Sequence, residues 1–527
     1  MNNKIAIAEE AIELISDGCT LAATGFGTAG VAEEIYVQME KKFLACGQPR
    51  DLTILHGAGQ GNNLGSGLDH LAHEGMIRRI IGGHFASCPK LGRLITENKI
   101  EAYNFPQGVI CHLYRAIAAK KPGEITKIGL KTFVDPRLSG GRINQVTHND
   151  LVRVLRIDDE DWLFYPSLRI DIAVIRGTTA DELGNVSMED EAFHSEGLAL
   201  AMAARASGGK VIVQVKTLVN SESIPAKMVH LPATLTDKIV ICREPEKHHR
   251  QTCDNFFNPV LTGQQKVPTS QIAPLPLDDR KIIARRAALE LTPDAVVNLG
   301  IGIPELVAAV AAEEKISSHI TLTVESGPTG GIPGNGGNFG AAVNPWALID
   351  QTSQFDFYDG GGLDIAFLGL AQVNRRGDVN VSKFGGKIAG CGGFINISQN
   401  TRRLVFCGKF TNKGLNMKIE DGQLIILKEG TLNKFVNAVE QITFNSENIP
   451  GNYDQVLYVT ERAVFTFGPE GLVLTEIAPG INLEKDILSQ MEFAPILSPD
   501  LRLMDPRIFK IEPMGLDKNF TGKRHGR

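Results

Sequence analysis

The segment Thr24-Gly25-Phe26-Gly27 has a counterpart in Leu299-Gly300-Ile301-Gly302, and this repetition decides the fold. In both places a short apolar strand is predicted to end in a Gly-x-Gly turn. A new helix is predicted to begin after each turn, the second with Pro304 at its first position. Upstream of each turn lies an apolar pattern with the i, i+3, i+4, i+7 spacing of one helix face. Its members are Ala8, Ala11, Ile12 and Ile15 in the first copy and Ala284, Ala287, Ala288 and Leu291 in the second. The chain therefore contains two copies of one α/β unit.

The repetition continues beyond the turns. Residues 52–54 (Leu-Thr-Ile) correspond to residues 322–324 (Leu-Thr-Val) at an offset of 270, whereas residues 171–175 correspond to residues 364–368 at an offset of 193. The difference places an insertion in the first copy, between Gly57 and Asp171. Strands that alternate with helices predict an α/β fold of two homologous open domains with mostly parallel sheets. Ligands bind at the carboxyl ends of the strands in such sheets.

The chain length supports a division into two domains. A chain of 527 residues is too long for one ordinary hydrophobic core. We expect the first domain to span residues 1–262, with its insertion between 57 and 171, and the second to span residues 280–527. Residues 263–279 are predicted to form a linker, because Pro268, Pro274 and Pro276 interrupt a polar stretch there.

Composition excludes several classes of protein. The net charge of −6 and the lack of a basic stripe argue against nucleic acid or an anionic membrane as the main partner. No run of 18 apolar residues occurs, so no membrane span is predicted. The eight cysteines are scattered without a Cys-x-x-Cys pair, which favours a reducing cytoplasm over a disulfide framework or a metal site. The basic tail at 523–527 is expected to be a solvated terminus.

The candidate catalytic segment is Thr321-Leu322-Thr323-Val324-Glu325-Ser326-Gly327-Pro328. A β-branched strand ends there in a carboxylate, and a glycine-rich loop follows. The offset of 270 puts Leu55 opposite Glu325, so the carboxylate is present in only one copy and is not needed to build the fold. The alternative role for Glu325 is a helix cap or a salt-bridged carboxylate. The same offset puts His56 opposite Ser326, where it either shapes a cleft or is a hydrogen-bonded buried histidine.

These motifs resemble those of a known family. The segment 325–327 (Glu-Ser-Gly), the turn 300–302 and the segment 390–393 (Gly-Cys-Gly-Gly) are similar to those of the fused family I coenzyme A transferases, which join an α-type and a β-type half in one chain. Residues 133–142 (Phe-Val-Asp-Pro-Arg-Leu-Ser-Gly-Gly-Arg) resemble the acetate/propionate branch more than the succinate:3-oxoacid enzymes. The resemblance covers nearly the whole chain and implies the coenzyme A transferase fold, with the active site between the halves and the nucleophile in the β-type half.

The resemblance also implies roles for single residues. Glu325 matches the glutamate that becomes a γ-glutamyl-CoA thioester. Gln107 lies within the insertion and matches a glutamine whose amide contacts the acyl or carboxylate group. The positions that match coenzyme A-binding turns and loops are Gly300, Gly302, Pro304, Gly390, Gly392 and Gly393.

The implied activity is ping-pong transfer of coenzyme A from a short-chain acyl-CoA to a short-chain carboxylate such as acetate. Coenzyme A would be substrate and covalent intermediate, with no tightly bound cofactor and no metal, in a cytoplasmic homodimer or homotetramer. Two alternatives remain open: a hydrolase in which water intercepts the same intermediate, and a non-catalytic acyl-CoA-binding protein. A nicotinamide site is not favoured, because neither Gly-x-Gly turn extends to Gly-x-Gly-x-x-Gly.

Overall fold

The computed structural model describes residues 4–268, 275–448 and 452–520. Residues 269–274 of the predicted linker and the basic tail therefore lie outside the described residues. The first large sheet takes its strands from residues 5–241 and the second from residues 296–503. The domain limits at 262 and 280 stay a prediction. Within the described residues, no helix has both the length and the hydropathy needed to cross a bilayer.

The first half contains fourteen strands and six α-helices. Its strands are β1 Ile5–Ala6, β2 Thr20–Ala23, β3 Leu52–His56, β4 Ile77–Gly82, β5 Glu101–Asn104, β6 Gly123–Thr126, β7 Arg153–Ile157, β8 Glu160–Pro166, β9 Ile172–Arg176, β10 Thr179–Asp181, β11 Val186–Ser187, β12 Lys210–Val215, β13 Thr217–Val219 and β14 Lys238–Ile241. Its helices are α1 Ala8–Ala11, α2 Glu33–Cys46, α3 Pro89–Thr96, α4 Gln107–Ala118, α5 Gly197–Ala206 and α6 Pro245–His248.

The second half, as far as it is described, contains twenty strands and five α-helices. Its strands are β15 Val296–Leu299, β16 Thr321–Thr323, β17 Pro328–Thr329, β18 Ile332–Pro333, β19 Ala342–Val343, β20 Ala347–Leu348, β21 Ile365–Gly369, β22 Gln372–Val373, β23 Val379–Asn380, β24 Lys383–Phe384, β25 Lys387–Ile388, β26 Arg403–Cys407, β27 Thr411–Asn412, β28 Asn416–Glu420, β29 Gln423–Lys428, β30 Leu432–Asn433, β31 Gln455–Val459, β32 Ala463–Gly468, β33 Gly471–Ile477 and β34 Ile496–Leu503. Its helices are α7 Asp279–Ala288, α8 Leu306–Glu313, α9 Gln351–Asp359, α10 Phe394–Asn400 and α11 Asp517–Phe520.

The predicted α/β fold with mostly parallel sheets is confirmed. The first sheet has the strand order β1-β14-β12-β9-β2-β3-β4-β5 and only parallel pairings. The second has the order β20-β17-β16-β15-β21-β26-β31-β32-β33-β34 and is parallel from β16 to β31. All five residues of β3 and of β9 are buried, as expected for parallel strands that helices cover on both faces.

The duplication is visible in the strand pairing. Leu21 of β2 lies opposite Ile54 and Ile172, and Val297 of β15 lies opposite Leu322 and Ile365. The structural counterpart of Leu322 is therefore Ile54, and not Leu52 as the sequence offset suggested. A slip of two residues preserves the alternation of side chains along a strand, so the apolar pattern cannot detect it.

Two local predictions near the repeated turns were wrong in detail. The first amphipathic segment forms one α-turn, α1, which continues as a 3₁₀ turn at Ile12–Leu14, although its four apolar residues are buried as predicted. Pro304 does not occupy the first helical position, because α8 begins at Leu306. Pro304 lies in the turn before that helix, where its carbonyl accepts a hydrogen bond from Val307 N–H at 3.1 Å.

The insertion joins the two halves. Between residues 57 and 171 it supplies β4, β5, α3, α4 and a small sheet of β6, β7 and β8. Asn104, at the end of β5, accepts a hydrogen bond from Cys391 N–H at 2.9 Å. Gly108, in the first turn of α4, donates its N–H to Asn396 Oδ1 of α10 at 3.2 Å. The start of α4 is thus held against the second half by specific polar contacts.

We expect Asn396→Leu to lower the free energy of unfolding by about 2–3 kcal/mol, because it leaves the buried Gly108 N–H without its acceptor and removes two hydrogen bonds from Asp359. Asn396 is fully buried and donates to both oxygens of Asp359 at 3.0 Å. Urea denaturation of the two proteins measures the difference. The matched control is Asn220→Leu, the same replacement at an exposed asparagine. Equal stability of Asn396→Leu and the unchanged protein would contradict the assigned role.

Candidate active site

The candidate nucleophile lies at the carboxyl edge of the second sheet. Glu325 follows the last residue of β16 by two positions, and Thr323 of β16 lies opposite Asn298 of β15. Gly300 and Glu325 each lie two residues beyond this pair, so they leave neighbouring strands at the same height of the sheet. Both groups therefore leave the sheet where ligands of parallel α/β sheets bind.

The Glu325 carboxylate is pressed against a glycine. A Cβ atom at position 393 would lie 2.7 Å from Glu325 Oε2, and the Gly393 N–H points to the carboxylate. The Glu325 side chain is only partly accessible, and burial raises its pKa to about 7 although the Gly393 N–H opposes the shift. No basic residue in the described part of the chain forms an ion pair with Glu325. The alternative role as a salt-bridged carboxylate is therefore not supported, whereas the contact with Gly393, the residue before α10, places the carboxylate at a helix N-terminus.

Gln107 reaches this position from the other half. It is the first residue of α4, and its backbone N–H donates to the Gly392 carbonyl at 2.9 Å. The side chain is 2% exposed, and its Oε1 would lie 3.7 Å from a Cβ atom on Gly392. Within the described residues its Nε2 has no hydrogen-bond partner. The Gln107 amide therefore lies beside the glycine loop with an unused donor.

The loop at 390–393 fits between the two halves because three of its four residues are glycines without side chains. Gly390 and Gly392 have φ values of 86° and 52°, which favour glycine. A Cβ atom on Gly390 would lie 2.7 Å from the Gly83 carbonyl oxygen and 2.8 Å from His84 Cα. The loop therefore brings its backbone directly against the first half on one side and against Glu325 on the other.

The Gly-x-Gly turn at 300–302 stands beside this centre. Gly300 N–H donates to the Phe367 carbonyl at 2.8 Å, which fixes the turn to β21. Gly302 has a φ of 93° and open space around its missing side chain. Pro304, further along, is not among the described contacts that surround Glu325. The structure thus brings Glu325, Gln107 and the glycine loop together, with Gly300 adjacent by register.

A polar cluster under the nucleophile was not found from the sequence. Tyr358 donates its hydroxyl to Thr323 Oγ1 at 2.9 Å and accepts from Asn298 Nδ2 at 3.3 Å, and all three residues are buried. Asn298 Oδ1 has no partner within the described residues. Thr323 is the last residue of β16 and Asn298 the last but one of β15, and this position near the carboxyl ends of parallel strands is the one sequence feature that could have indicated them. The cluster fixes the strand ends from which Glu325 and Gly300 emerge.

Two further residues of the site were missed. His84 follows β4 and Asn104 is the last residue of β5, and both contact the loop at 390–393. Polar residues after apolar strands were the available sequence signal, but it does not show that these strand ends face the other half. His56, by contrast, is the hydrogen-bonded buried histidine that was one of its two expected roles. Its Nδ1 lies 2.8 Å from the Ala58 carbonyl, and burial lowers its pKa to about 4.

The first half contains the reverse arrangement of carboxylate and glycine. By strand pairing, Glu325 corresponds to Gly57 and not to Leu55 as expected from the sequence. A Cβ atom on Gly57 would lie 3.5 Å from Oε1 of Glu196, which precedes α5 as Gly393 precedes α10. Glu196 is 1% exposed, its carboxylate oxygens have no hydrogen-bond partner among the described residues, and burial raises its pKa to about 8.

The chain is similar to known proteins over nearly its whole length. A family model described as coenzyme A transferase matches residues 5–241. Caffeate CoA-transferase of Acetobacterium woodii is 45% identical over 519 residues, which cover 98% of this chain and 99% of that protein. Acetate CoA-transferase YdiF of Escherichia coli K12 is 41% identical over 519 residues, with 98% and 97% covered. The crystal structure of an acyl-CoA transferase (YdiF) from E. coli O157:H7, a thioester complex with CoA, matches with a TM-score of 0.92, at 40% identity over 97% of each chain.

The buried carboxylate of Glu196 makes stability depend on pH. An ordinary glutamate has a pKa of 4.5, whereas burial raises that of Glu196 to about 8, so the folded chain holds one more proton than the unfolded chain between these values. Stability therefore falls by about 1.4 kcal/mol per pH unit across this window. We expect Glu196→Gln to lack this loss of stability. The free energy of unfolding of Glu196→Gln, relative to that of the unchanged protein, should therefore increase from pH 5.5 to pH 8 and stay constant above pH 8.

Urea denaturation at several pH values measures this difference. Glu97→Gln, which removes one exposed carboxylate, is the matched control for the change in net charge. A difference between Glu196→Gln and the unchanged protein that is independent of pH would show that Glu196 is already ionised in the folded chain.

Proposed function

The chain belongs to the coenzyme A transferase family, and we propose that it exchanges coenzyme A between short-chain carboxylic acids through a thioester formed on Glu325. The resemblance inferred from the sequence is confirmed by relatives that match nearly the whole chain, and the protein is an enzyme that transfers coenzyme A. The observation that carries the proposal is the position of the Glu325 carboxylate. It is partly buried, it has no ion-pair partner among the described residues, and it contacts Gly393.

The relatives support the proposed chemistry without fixing the acid. The E. coli structure, which is 40% identical in sequence and shares the fold of this chain, is a thioester complex with CoA. The names of the two relatives specify acetate and caffeate, which differ greatly in size. We propose acetate or a similar short-chain acid as the acceptor, in line with the resemblance of residues 133–142.

The first half-reaction forms the enzyme thioester in two steps. The Glu325 carboxylate attacks the carbonyl carbon of the acyl-CoA, the carbon–sulfur bond breaks, and the coenzyme A thiolate leaves behind an acyl–glutamyl anhydride. The thiolate then attacks the glutamyl carbonyl carbon, and the first acid leaves as its carboxylate. Nucleophilic catalysis of this kind divides one difficult exchange into easier steps and gives ping-pong kinetics.

The second half-reaction reverses these steps with another acid. Its carboxylate attacks the glutamyl thioester and releases the thiolate, and the new anhydride is then cleaved by the thiolate at the acyl carbonyl. The products are the new acyl-CoA and the free Glu325 carboxylate. Bonds and charge balance without a redox partner, because one thioester replaces another.

The surroundings of Glu325 suit this sequence of steps. Partial removal from water leaves the carboxylate less stabilised by hydration than a surface glutamate, as its raised pKa shows. Each attack passes through an oxyanion, and one correctly placed N–H donor is worth about 3–4 kcal/mol to such a transition state. The unpartnered Gln107 amide and the backbone of the loop at 390–393 are the proposed donors. Gly300, Gly302 and the turn that continues to Pro304 are proposed to bind coenzyme A.

We also propose a homodimer or homotetramer in the cytoplasm. All eight cysteines are free thiols, which supports a reducing compartment. Within the described residues no group of three or more potential ligands could hold a metal ion, and the proposed steps require none.

We expect Glu325→Gln to abolish exchange of coenzyme A between acyl-CoA and acetate, with a loss on the order of 10⁶ in turnover, as for other covalent nucleophiles. Mass spectrometry of the unchanged protein after acyl-CoA treatment should find coenzyme A attached to the peptide that contains Glu325. The matched control is Glu196→Gln, which removes the buried carboxylate of the other half and should still form the adduct.

Two results would contradict the proposal. One is a Glu325→Gln protein that keeps a tenth of normal exchange, which would exclude Glu325 as nucleophile. The other is release of coenzyme A at a rate that does not respond to added acetate, which would indicate a hydrolase in place of a transferase.

We expect kcat/KM for the acyl-CoA to rise tenfold per pH unit below about pH 7 and to level off above it. Only the ionised carboxylate attacks, and burial raises the pKa of Glu325 to about 7. Initial rates from pH 5.5 to 8.5 with two different acyl-CoA donors test this. If the rise in kcat/KM reflects titration of an enzyme group, it should occur at the same pH with both donors. A profile that is flat across this range would show that Glu325 is not the titrating nucleophile.

A further inference from the structure

A short segment after β4 forms part of the wall of the site. Residues 83–85 run beside residues 389–392 of the other half and are joined to them by two backbone hydrogen bonds. Gly392 N–H donates to the Gly83 carbonyl at 2.8 Å, and Phe85 N–H donates to the Ala389 carbonyl at 2.7 Å. His84 lies between these two bonds, so its backbone position relative to the glycine loop is fixed.

The imidazole of His84 faces the same glycine as the Gln107 amide. A Cβ atom on Gly392 would lie 3.9 Å from His84 Cδ2 and 3.7 Å from Gln107 Oε1. The next residue, Gly393, contacts the Glu325 carboxylate. Nδ1 of His84 points the other way, 2.9 Å from a Cβ atom placed on Gly59. The edge of the ring that carries Cδ2 and Nε2 is therefore the one turned toward the glycine loop.

The imidazole of His84 has no hydrogen-bond partner among the described residues. Neither ring nitrogen of His84 forms a hydrogen bond with any described residue, although the ring is partly buried. Burial lowers the pKa of His84 to about 4, so the ring is neutral near pH 7 and carries one N–H donor. The neighbouring His56 is different, since its Nδ1 is satisfied by the Ala58 carbonyl at 2.8 Å. A polar group left unpaired in a partly buried site costs free energy unless a ligand supplies its partner.

We propose that His84 is a second substrate-binding donor of the site, whose Nε2–H bonds a carbonyl oxygen of the acyl–glutamyl anhydride. The inference rests on the proposed function. An anhydride has two carbonyl groups, and the oxygen of each becomes an oxyanion when its carbon is attacked, so the two donors beside Gly392, His84 and Gln107, serve the two attacks. His84 forms no covalent bond and transfers no proton. It donates one hydrogen bond that strengthens as negative charge develops on the oxygen.

Three variants at this position separate hydrogen bonding from packing. In His84→Gln the side-chain N–H₂ reaches the place of Nε2, in His84→Asn it reaches only the place of Nδ1, and His84→Leu removes both donors. We expect the Leu and Asn variants to lose about 100-fold to 1000-fold in kcat with a KM for acyl-CoA changed only a few-fold, because the bond is strongest in the transition state. His84→Gln should retain kcat to within about tenfold.

The measurements are steady-state exchange, single-turnover formation of the enzyme thioester by mass spectrometry, and the pH profile of kcat/KM. In the variants, kcat/KM should still rise with pH up to about pH 7. The coenzyme A adduct should still form on the Glu325 peptide, but more slowly. Unchanged kcat in His84→Leu would overturn the proposal. Equal losses in the Gln, Asn and Leu variants would overturn it too, since they would indicate a packing role. An unchanged protein that forms no adduct at Glu325 would instead contradict the proposed function.

Discussion

The close approach of the loop at 390–393 to both halves of the chain is the constraint on which the site depends. Its glycines lie within contact distance of Glu325 on one side and of residues 83–84 and Gln107 on the other. Any side chain on Gly390 or Gly393 would collide with backbone or with the carboxylate, so the halves could not close to the same distance. Because these three glycines present only backbone, the nucleophile of one half and the polar groups of the other can face one ligand.

Duplication alone does not produce this site. The two parallel sheets have corresponding strands, but the described first-half residues that lie against the glycines of the loop or bond to it, Gly83, His84, Asn104 and Gln107, come from the predicted insertion. His84 follows β4, Asn104 ends β5 and Gln107 begins α4. The insertion adds β4 and β5 to the edge of the first sheet and thereby extends its carboxyl ends toward the other half. A repeated unit provides the framework, and the added segment provides the chemistry that the framework lacks.

The two halves place carboxylates against glycines in exchanged positions. In the second half the carboxylate follows a strand and the glycine precedes a helix, whereas in the first half Gly57 follows the strand and Glu196 precedes the helix. Burial raises the pKa of both carboxylates, to about 7 for Glu325 and about 8 for Glu196. Only Glu325 is partly accessible, while Glu196 is fully buried. Accessibility, and not acidity, therefore distinguishes the group proposed to react from its counterpart.

The sequence by itself indicated the doubled α/β architecture, the predicted insertion and the candidate Glu325, whereas Gln107 and the loop at 390–393 were identified through the resemblance to a known family. The periodicities of helices and strands are properties of the local sequence, and glycines at close contacts recur in recognisable positions. These features can therefore be detected before the folded structure is known. The register of β3 was misjudged by two residues, because such a slip leaves the inward and outward faces unchanged. His84, Glu196 and the Thr323–Tyr358 pair became evident only in the folded chain. Their roles depend on burial and on contacts between segments far apart in sequence, which only tertiary packing decides.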